Sequence, residues 1–373
     1  MKALRGLRKH YLALLLAAAA VVFLQGCSRE EDSAPPATTP TIYMTGYTLK
    51  TVGGYMPCYW KDQTRIDLPI PDTASDGFAE SIYVVDNTVY TAGSTRKNGI
   101  YRPCYWKDQE RVDLPVLNLT LNGEVHAIHA SEGLVFTAGY TQNNVFRYVP
   151  CYWINKERVD LPVLDPTRDS EVFALTVVEN TIYMAGYTQS DLGYAVPCYW
   201  INDTFVVLSV LNPEADGQAN AIQVVGNNIY VTGYTSDNTG LSRPCYWVNG
   251  TRIDLSVPAV GGIEGEALAI DVVGDNVYAA GYMVYPDFFP DRFQCYWING
   301  TRVDSSPYIF TVPVEVALAI EAVDEDIYTA GYAQVGGGIS VPCYWINYST
   351  RIELPVLDPT KSGYGQAMQI VKE

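Results

Sequence analysis

The sequence is poor in positive charge. It holds 24 lysine and arginine residues against 41 aspartate and glutamate residues, a formal net charge of −17 at pH 7. Proteins that bind nucleic acid need a basic surface to neutralise phosphates. This balance therefore excludes a nucleic-acid partner.

Histidine is scarcer still, with three copies in 373 residues. The sequence also has no zinc-ligand spacing, Walker loop, EF-hand loop or nucleophile elbow. We therefore predict neither a metal site nor a cofactor.

Helical periodicity is missing too, since no segment of helix length repeats its apolar residues every 3.6 positions. Instead, the string Pro-Cys-Tyr-Trp occurs six times, and a seventh copy has Gln294 in place of proline. The cysteines of these copies are Cys58, Cys104, Cys151, Cys198, Cys245, Cys295 and Cys343. Their spacing of 46 to 50 residues is typical of propellers or solenoids, and the lack of helices excludes a helical solenoid.

One repeat shows four segments of strand character, named A to D in chain order. They are Asn220–Val225, Asn228–Tyr234, Arg243–Val248 and Arg252–Leu255. Asn249-Gly250 between C and D is a strong hairpin signal. Four antiparallel strands in a unit of about 47 residues predict one propeller blade.

The two ends of the chain complement each other. The first repeat begins at strand B with Ile42–Tyr47, and the chain finishes with a lone strand A at Ala367–Val371. We therefore predict an all-β fold for residues 41–373. It is a seven-bladed β-propeller with four antiparallel strands per blade, closed by pairing of the C-terminal strand with the N-terminal repeat.

This layout resembles kelch-type propellers and the central domain of galactose oxidase, although Gly139-Tyr140 and Gly93-Ser94 replace the kelch Gly-Gly pair. The resemblance implies architecture and no particular activity. Copper chemistry of the galactose-oxidase kind is excluded, because His126 and His129 lie in one strand and make a poor copper site.

The first 26 residues have the pattern of an export signal. A basic start precedes the apolar run Tyr11–Leu24, which is too short to span a bilayer comfortably. Leu24–Cys27 resembles the bacterial lipobox, although an ordinary signal peptide is an alternative. The resemblance implies a signal peptide at 1–26, lipidation of Cys27 and a tether at 27–40. The predicted partner is the lipid bilayer of the bacterial outer membrane.

The acidic run Glu30–Asp32 resembles the surface-export signal of Bacteroidetes lipoproteins, so surface exposure is an open alternative. The seven repeated cysteines sit in one register on separate blades, beyond the reach of a disulfide. We therefore expect seven free, buried thiols.

One polar column runs through the otherwise apolar A strands, and we expect it to line a central channel. Its residues are Tyr83, His129, Thr176, Gln223, Asp271, Glu321 and Gln369. His129, Asp271 and Glu321 are the candidate acid/base groups. The alternative is that the column only solvates water.

The A–B and C–D connections are predicted to be tight hairpins on one face. The B–C and D–A connections, about ten residues each, share the opposite face, here called the long-loop face. Variable loops on a rigid scaffold are typical binding sites, so we expect the polar column to lie within the mouth of this face. The D–A loops also carry an acidic rim: Asp72, Asp76, Asp165, Asp169, Glu171, Glu214, Asp216, Glu264 and Asp358.

The leading functional hypothesis is a monomeric binding module for a protein or glycan ligand on the long-loop face. An enzyme at the channel mouth, either a hydrolase or a lyase acting on carbohydrate, is the second hypothesis. A structural protein of the envelope is the third.

Overall fold

The repeated segments fold as antiparallel strands. The computed structural model describes residues 40–259, 262–285, 292–303 and 315–372, and in these ranges all regular structure is β-strand. The predicted signal peptide and Cys27 lie outside them. Within those ranges there is no helix long and apolar enough to cross a membrane. The all-β prediction is confirmed.

Each sheet is built from segments that follow one another along the chain. The first three sheets use β1 Thr41–Leu49, β2 Tyr55–Lys61, β3 Thr64–Asp67; β4 Asp76–Val85, β5 Thr88–Lys97, β6 Ile100–Lys107, β7 Glu110–Asp113; and β8 Gly123–Ser131, β9 Leu134–Gln142, β10 Tyr148–Ile154, β11 Glu157–Asp160. The next two use β12 Ser170–Val178, β13 Thr181–Gln189, β14 Ala195–Ile201, β15 Thr204–Val207; and β16 Gly217–Val225, β17 Asn228–Ser236, β18 Ser242–Val248, β19 Thr251–Asp254.

The remaining strands are β20 Glu264–Val273, β21 Asn276–Val284, β22 Arg292–Ile298, β23 Thr301–Val303; β24 Glu315–Val323, β25 Asp326–Val335, β26 Ile339–Ile346, β27 Thr350–Glu353; and β28 Gly363–Val371. A single parallel bridge between Phe293 and Glu315 joins the two four-stranded repeats of this group into one sheet of eight strands. All the other sheets have four strands. Repeated four-stranded antiparallel sheets are the architecture of a β-propeller.

The last strand pairs with the first. β28 lies antiparallel to β1, with Thr41 opposite Val371 and Thr48 opposite Gly363, and the sheet order is β28-β1-β2-β3. The A strands β4, β8, β12, β16, β20, β24 and β28 contact one another in that order, and β28 also contacts β4.

The hydrophobic core lies between neighbouring sheets. In one layer, Tyr152 of β10 packs in the same cluster as Cys198 and Trp200 of β14. Side chains alternate across a strand, so tyrosine faces the next sheet while cysteine and tryptophan face the preceding one. All seven repeated cysteines are free and buried, as predicted.

The tryptophans also bind the preceding sheet by hydrogen bonds. In six repeats the indole N–H donates to the backbone carbonyl that follows strand D of the neighbouring sheet, as in Trp106 to Pro69 at 2.8 Å. Trp60 of the first repeat donates to Pro355 near the end of the chain, also at 2.8 Å. The terminal junction thus uses the same bond as the internal ones.

The connections differ in length from the prediction. D–A connections such as 161–169 have the expected length, but the B–C connection between β9 and β10 is only 143–147, and that between β5 and β6 is only 98–99. The prediction of long B–C loops is wrong, because strands B and C extend beyond their apolar segments.

Candidate functional site

The A strands surround a cavity of about 610 Å³. Six residues of the polar column line it: Tyr83, His129, Thr176, Gln223, Asp271 and Glu321. Gln369 is not among its lining residues and instead bonds to the backbone of Val84 on β4.

The polar column lies toward the hairpin end of the A strands. His129 is the seventh of nine residues in β8, so only Ala130 and Ser131 separate it from the tight turn to β9. The long-loop face is at the other end of the strand. The prediction that the column lies in the long-loop mouth is therefore wrong, because the A strands begin several residues earlier than their apolar segments suggest.

Column side chains bond from one A strand to the next. Asp271 accepts a hydrogen bond from the Gln223 amide at 3.0 Å and another from the backbone N–H of Ala322 at 2.7 Å. Glu321 accepts one from the backbone N–H of Ile370 at 2.7 Å. Both candidate carboxyl groups thus satisfy backbone donors of the neighbouring strand.

His129 is held apart from these two carboxyl groups. Its ring packs at a tilt against Tyr83 with centroids 4.2 Å apart, and β12 and β16 lie between its strand and that of Asp271. Burial lowers the pKa of His129 to about 4. Burial, with a smaller contribution from Asp271, raises the pKa of Glu321 to about 8. The three candidates line one cavity. Their contacts connect strands, and the three side chains do not converge on one point where a substrate would react.

A second group of polar side chains comes from a β-bulge near the long-loop end of each A strand. In β8 the register shifts between Val125 and Ala127, so His126 is the extra residue. The bulge presses the Glu124 carbonyl against Gly139 of β9, where a Cβ atom would lie 2.1 Å from that oxygen. Only glycine permits this approach.

Glu80, Glu124, His126 and Glu171 form a partly buried cluster of polar side chains, which we call the acidic pocket. Glu80 and His126 are the bulge residues of β4 and β8, and Glu124 and Glu171 each lie two positions before a bulge. The imidazole Nε2 of His126 lies 3.8 Å from a carboxylate oxygen of Glu171. This Nε2 atom is buried and makes no hydrogen bond.

Two tyrosines orient the carboxylates of the pocket. Tyr140 donates its hydroxyl to Glu124 at 2.6 Å, and Tyr187 donates to Glu171 at 3.0 Å. The His126 ring lies between Tyr140, at a centroid distance of 6.0 Å, and Phe173, at 5.7 Å. Rigid strands thus place acidic groups and aromatic faces side by side.

Burial shifts the ionisation of the pocket. It raises the pKa of Glu80 to about 7, with a further contribution from the nearby Glu124 carboxylate. It also raises the pKa of Glu171 to about 7, although the bond from Tyr187 opposes this shift. Burial lowers the pKa of His126. Perturbed ionisation of clustered groups is typical of functional sites.

An aromatic cluster adjoins Glu80. The Tyr47 ring contacts Phe78 at a centroid distance of 5.0 Å, Tyr55 at 5.3 Å and Tyr364 at 5.5 Å. Burial, followed by the Glu80 charge, raises the pKa of Tyr47. The aromatic surface therefore continues from the pocket toward the junction of the first and last strands.

Much of the predicted acidic rim supports the fold. Asp76, Asp169 and Asp216 accept hydrogen bonds from the backbone N–H groups that begin strand C of the preceding sheet. Asp72, Asp165 and Asp358 accept bonds from backbone N–H groups two residues ahead. Glu171 lies in strand β12 rather than in a loop.

Sequence reasoning missed Glu80 and Glu124 and did not group His126 with Glu171. The available signal was the isolated glycine in the middle of strand B, which often marks a bulge or a close backbone approach.

No protein family and no curated protein matches the sequence. Among solved structures, the chain is similar to a six-bladed β-propeller lectin of the fungus Aleuria aurantia with a fucose recognition mode. The identity is 11%, the TM-score is 0.40, and the match covers 75% of this chain and 97% of the lectin.

An ulvan lyase from a new family of polysaccharide lyases matches at 10% identity and a TM-score of 0.49, over 73% of this chain and 81% of the lyase. A puromycin-hydrolysing peptidase of Mycobacterium tuberculosis matches at 9% identity and a TM-score of 0.51, over 85% of this chain and 53% of the peptidase. At such identities the likeness concerns fold alone, so function has to be argued from the site.

Proposed function

We propose that this chain is a ligand-binding propeller whose ligand enters at the long-loop end of the channel. The observation that carries the proposal is the acidic pocket. Its four polar residues converge within reach of aromatic rings and stand on strands held by neighbouring sheets. Convergent polar groups with perturbed ionisation on a rigid scaffold are typical of functional sites.

Tyrosine hydroxyls donate one hydrogen bond each to Glu124 and Glu171, but the pocket lacks the basic partners expected of a structural ion-pair cluster. Burying a carboxylate is costly unless it is paired or hydrogen-bonded. Among the described residues, no lysine or arginine lies within ion-pair distance of Glu80, Glu124 or Glu171, and the nearest basic group is His126. A ligand that supplies the missing interactions offsets this cost.

A combined glycan and peptide array tests the proposal. Wild type should give hits that are lost in the pocket variant H126A/E171Q. They should persist in a variant with N249A on the hairpin face. If the hits survive the pocket changes but disappear with N249A, the ligand binds the hairpin face and the proposal is contradicted. Far-UV circular dichroism of each variant verifies that the fold is retained.

We also propose that the sheets form seven blades in a ring closed by β28. Four contacts between repeats support it: β28 with β1, Trp60 with Pro355, Glu321 with Ile370, and Gln369 with Val84. Closure removes the exposed sheet edges of an open arrangement.

Anchoring in the bacterial envelope through Cys27 is a further part of the proposed function. Its support is the lipobox-like Leu24–Cys27 and the polar, proline-containing tether that follows. Metabolic labelling with radioactive palmitate should mark the wild-type chain but not C27A. Equal recovery of both proteins in the soluble fraction would contradict the anchor.

Hydrolysis of a glycan at the same pocket is the second candidate. It is favoured by Glu171, whose pKa of about 7 suits a general acid, with the Glu124 carboxylate close enough to raise that pKa. Turnover of chromogenic glycosides by wild type and its loss in E171Q would support hydrolysis. Binding without turnover leaves the binding module as the function.

A further inference from the structure

One B–C turn on the long-loop face departs from its sister turns. In the repeat of β8 to β11, the turn closes with a hydrogen bond from the Phe146 N–H to the Asn143 carbonyl at 2.9 Å. The turns of the next two repeats close with the same bond, donated there by Gly193 and Gly240. Phe146 therefore stands at a position that is glycine in both sister turns.

The backbone at this position favours glycine. The φ angle of Phe146 is 64°, in the left-handed region, and those of Gly193 and Gly240 are 90° and 83°. A bulky side chain in that region is strained. Because 67% of Phe146 is exposed, little packing offsets the strain. The fold itself therefore does not account for phenylalanine at this turn.

The D–A loop that precedes the same repeat departs in a similar way. Asn118 accepts a hydrogen bond from the backbone N–H two residues ahead at 2.8 Å, and three other D–A loops contain the same bond. Between donor and acceptor stands Leu119, where those three loops have Pro166, Pro213 and Pro359. Leu119 is 75% exposed. A large apolar residue again stands in place of the residue that suits the turn.

These two loops are joined to each other. The Asn118 amide donates to the side-chain oxygen of Asn144 at 2.8 Å. The side-chain oxygen of Asn143 accepts from two backbone N–H groups of its own turn, both at 3.0 Å. The three exposed apolar residues on these loops form what we call the apolar knob: Leu119, Val145 and Phe146. Hydrogen bonds hold its backbone in place, so a partner would have few residues to order on binding.

The side chains of the knob indicate the class of partner. Leu119 and Val145 offer no hydrogen bond to the hydroxyl groups of a glycan, which would lose water without compensation. An apolar recess on another protein removes the same side chains from water favourably. Exposed apolar patches with an aromatic residue are typical of protein–protein contacts. The knob therefore fits a protein better than a glycan.

Charge narrows the partner further. The chain has a formal net charge of −17, which repels a second copy of itself and an anionic lipid surface. β8 begins at Gly123, soon after Leu119, and brings the Glu124 carboxylate to the same end of the propeller as the knob. A partner with a basic surface complements this charge.

We propose that the apolar knob is the docking surface for a basic protein, which receives Val145 and Phe146 in an apolar recess. The inference goes beyond the proposed function, because it concerns a second surface and requires no ligand in the acidic pocket. Aromatic residues buried at the centre of an interface contribute much of the binding energy. Phe146 should therefore dominate the affinity.

Site-specific photocrosslinking in the native host cells tests the docking surface. The full chain carries p-benzoylphenylalanine in place of Val145 or, as the matched control, in place of Thr239, which directly precedes Gly240 in the sister turn. Irradiation should give a discrete adduct with a basic protein from the first position and none from the second. No adduct, equal adducts from both positions, an adduct of two copies of this chain or a lipid adduct would each overturn the inference.

Calorimetric titration of the purified crosslinking partner into the full chain measures the contribution of the knob. F146G introduces the residue of the sister turns and should weaken binding by at least about tenfold. V52S is the control, because Val52 lies in the B–C loop of the first repeat and is 89% exposed. Its affinity should equal that of wild type. Wild-type affinity in F146G, or an equal loss in V52S, would contradict docking at the knob.

Thermal unfolding of the variants separates docking from a role in the fold. F146G and L119P should each unfold at the wild-type midpoint or above it, since each introduces the residue that suits its turn. A lower midpoint in either variant would show that the apolar side chain supports the fold, and the inference would then be wrong.

Discussion

Gln369 in the last strand makes hydrogen bonds to both the backbone N–H and the backbone carbonyl of Val84, 285 residues earlier in the chain. Its side-chain oxygen accepts from the Val84 N–H at 2.6 Å, and its amide nitrogen donates to the Val84 carbonyl at 3.1 Å. These two bonds join β28 to β4, and β4 is also in contact with β1. The C-terminal strand therefore ties the first two sheets to the end of the chain.

Deletion of residues 366–373 should destabilise the whole protein in one cooperative step. It removes six of the nine residues of β28, exposes the edge of β1 and leaves the Val84 groups without their partner. We expect a loss of about 3 kcal/mol or more in the free energy of unfolding, measured by urea titration. Deletion of 372–373 alone is the control and should change little. Similar melting of both truncated proteins would contradict closure by β28.

The terminal junction can be compared directly with an internal one. Trp60 donates to Pro355 and Trp106 donates to Pro69, both at 2.8 Å, and both indoles are fully buried. W60F and W106F should each lower the free energy of unfolding by about 1–3 kcal/mol, because a buried carbonyl loses its hydrogen-bond donor. If W106F lowers the free energy of unfolding and W60F does not, the first and last repeats separate in solution.

The repeat length, the four strands and the buried cysteines could be predicted from sequence because they follow from local patterns. Asn249 illustrates this: its φ of 50° fits the hairpin expected from Asn-Gly. Its side-chain oxygen also accepts from the Ile229 N–H at 2.9 Å. Turn chemistry and period-two alternation require no knowledge of the partner strand.

The acidic pocket could not be predicted in the same way. The bulge at His126 breaks the alternation of side chains along β8. The side of the strand on which Glu124 lies therefore cannot be inferred from the side on which His129 lies. The strand also begins at Gly123, before its apolar residues. The bulge brings the Glu124 carbonyl close to Gly139, and that contact depends on strand pairing.

The seven repeated thiols should resist labelling in the folded protein. Each is buried, and burial raises the pKa of Cys58 and Cys104 to about 12, so the reactive thiolate is scarce at neutral pH. Iodoacetamide followed by mass spectrometry should modify none of them in native protein. It should modify all seven in unreduced protein unfolded by urea. A stoichiometric disulfide between repeats would contradict the expectation of free thiols.

Glu321 should make stability depend on pH. Its pKa is raised from 4.5 to about 8 by burial, so the folded state holds the proton more tightly than the unfolded state. The stabilising contribution is complete below pH 4.5 and is lost as pH rises to 8. One pKa unit corresponds to about 1.4 kcal/mol, which sets the loss at several kcal/mol at most.

E321Q removes this titration while keeping an oxygen for the Ile370 N–H. The difference in unfolding free energy between wild type and E321Q should fall between pH 4.5 and 8 and be flat outside that range. Glu80 and Glu171 also titrate, but they are present in both proteins and cancel in the difference. A difference independent of pH would show that Glu321 does not retain its proton in the fold.

Gly139 should control the acidic pocket through the bulge it permits. In G139A the new Cβ would lie 2.1 Å from the Glu124 carbonyl, so β8 has to shift and carry His126 with it. G331A is the matched control, because its Cβ would meet the Val316 carbonyl at 1.9 Å, in a repeat outside the pocket. Both variants should lose about 2 kcal/mol or more of unfolding free energy.

Only G139A should alter the ionisation of His126. Burial lowers the pKa of this imidazole in the native fold, and displacement of β8 toward solvent should return it toward 6.5. Histidine resonances followed by nuclear magnetic resonance through a pH titration measure this directly. In G331A the pKa of His126 should stay at its wild-type value, which separates local displacement from general loss of stability. An unchanged His126 pKa in a destabilised G139A protein would mean that the bulge does not position the pocket.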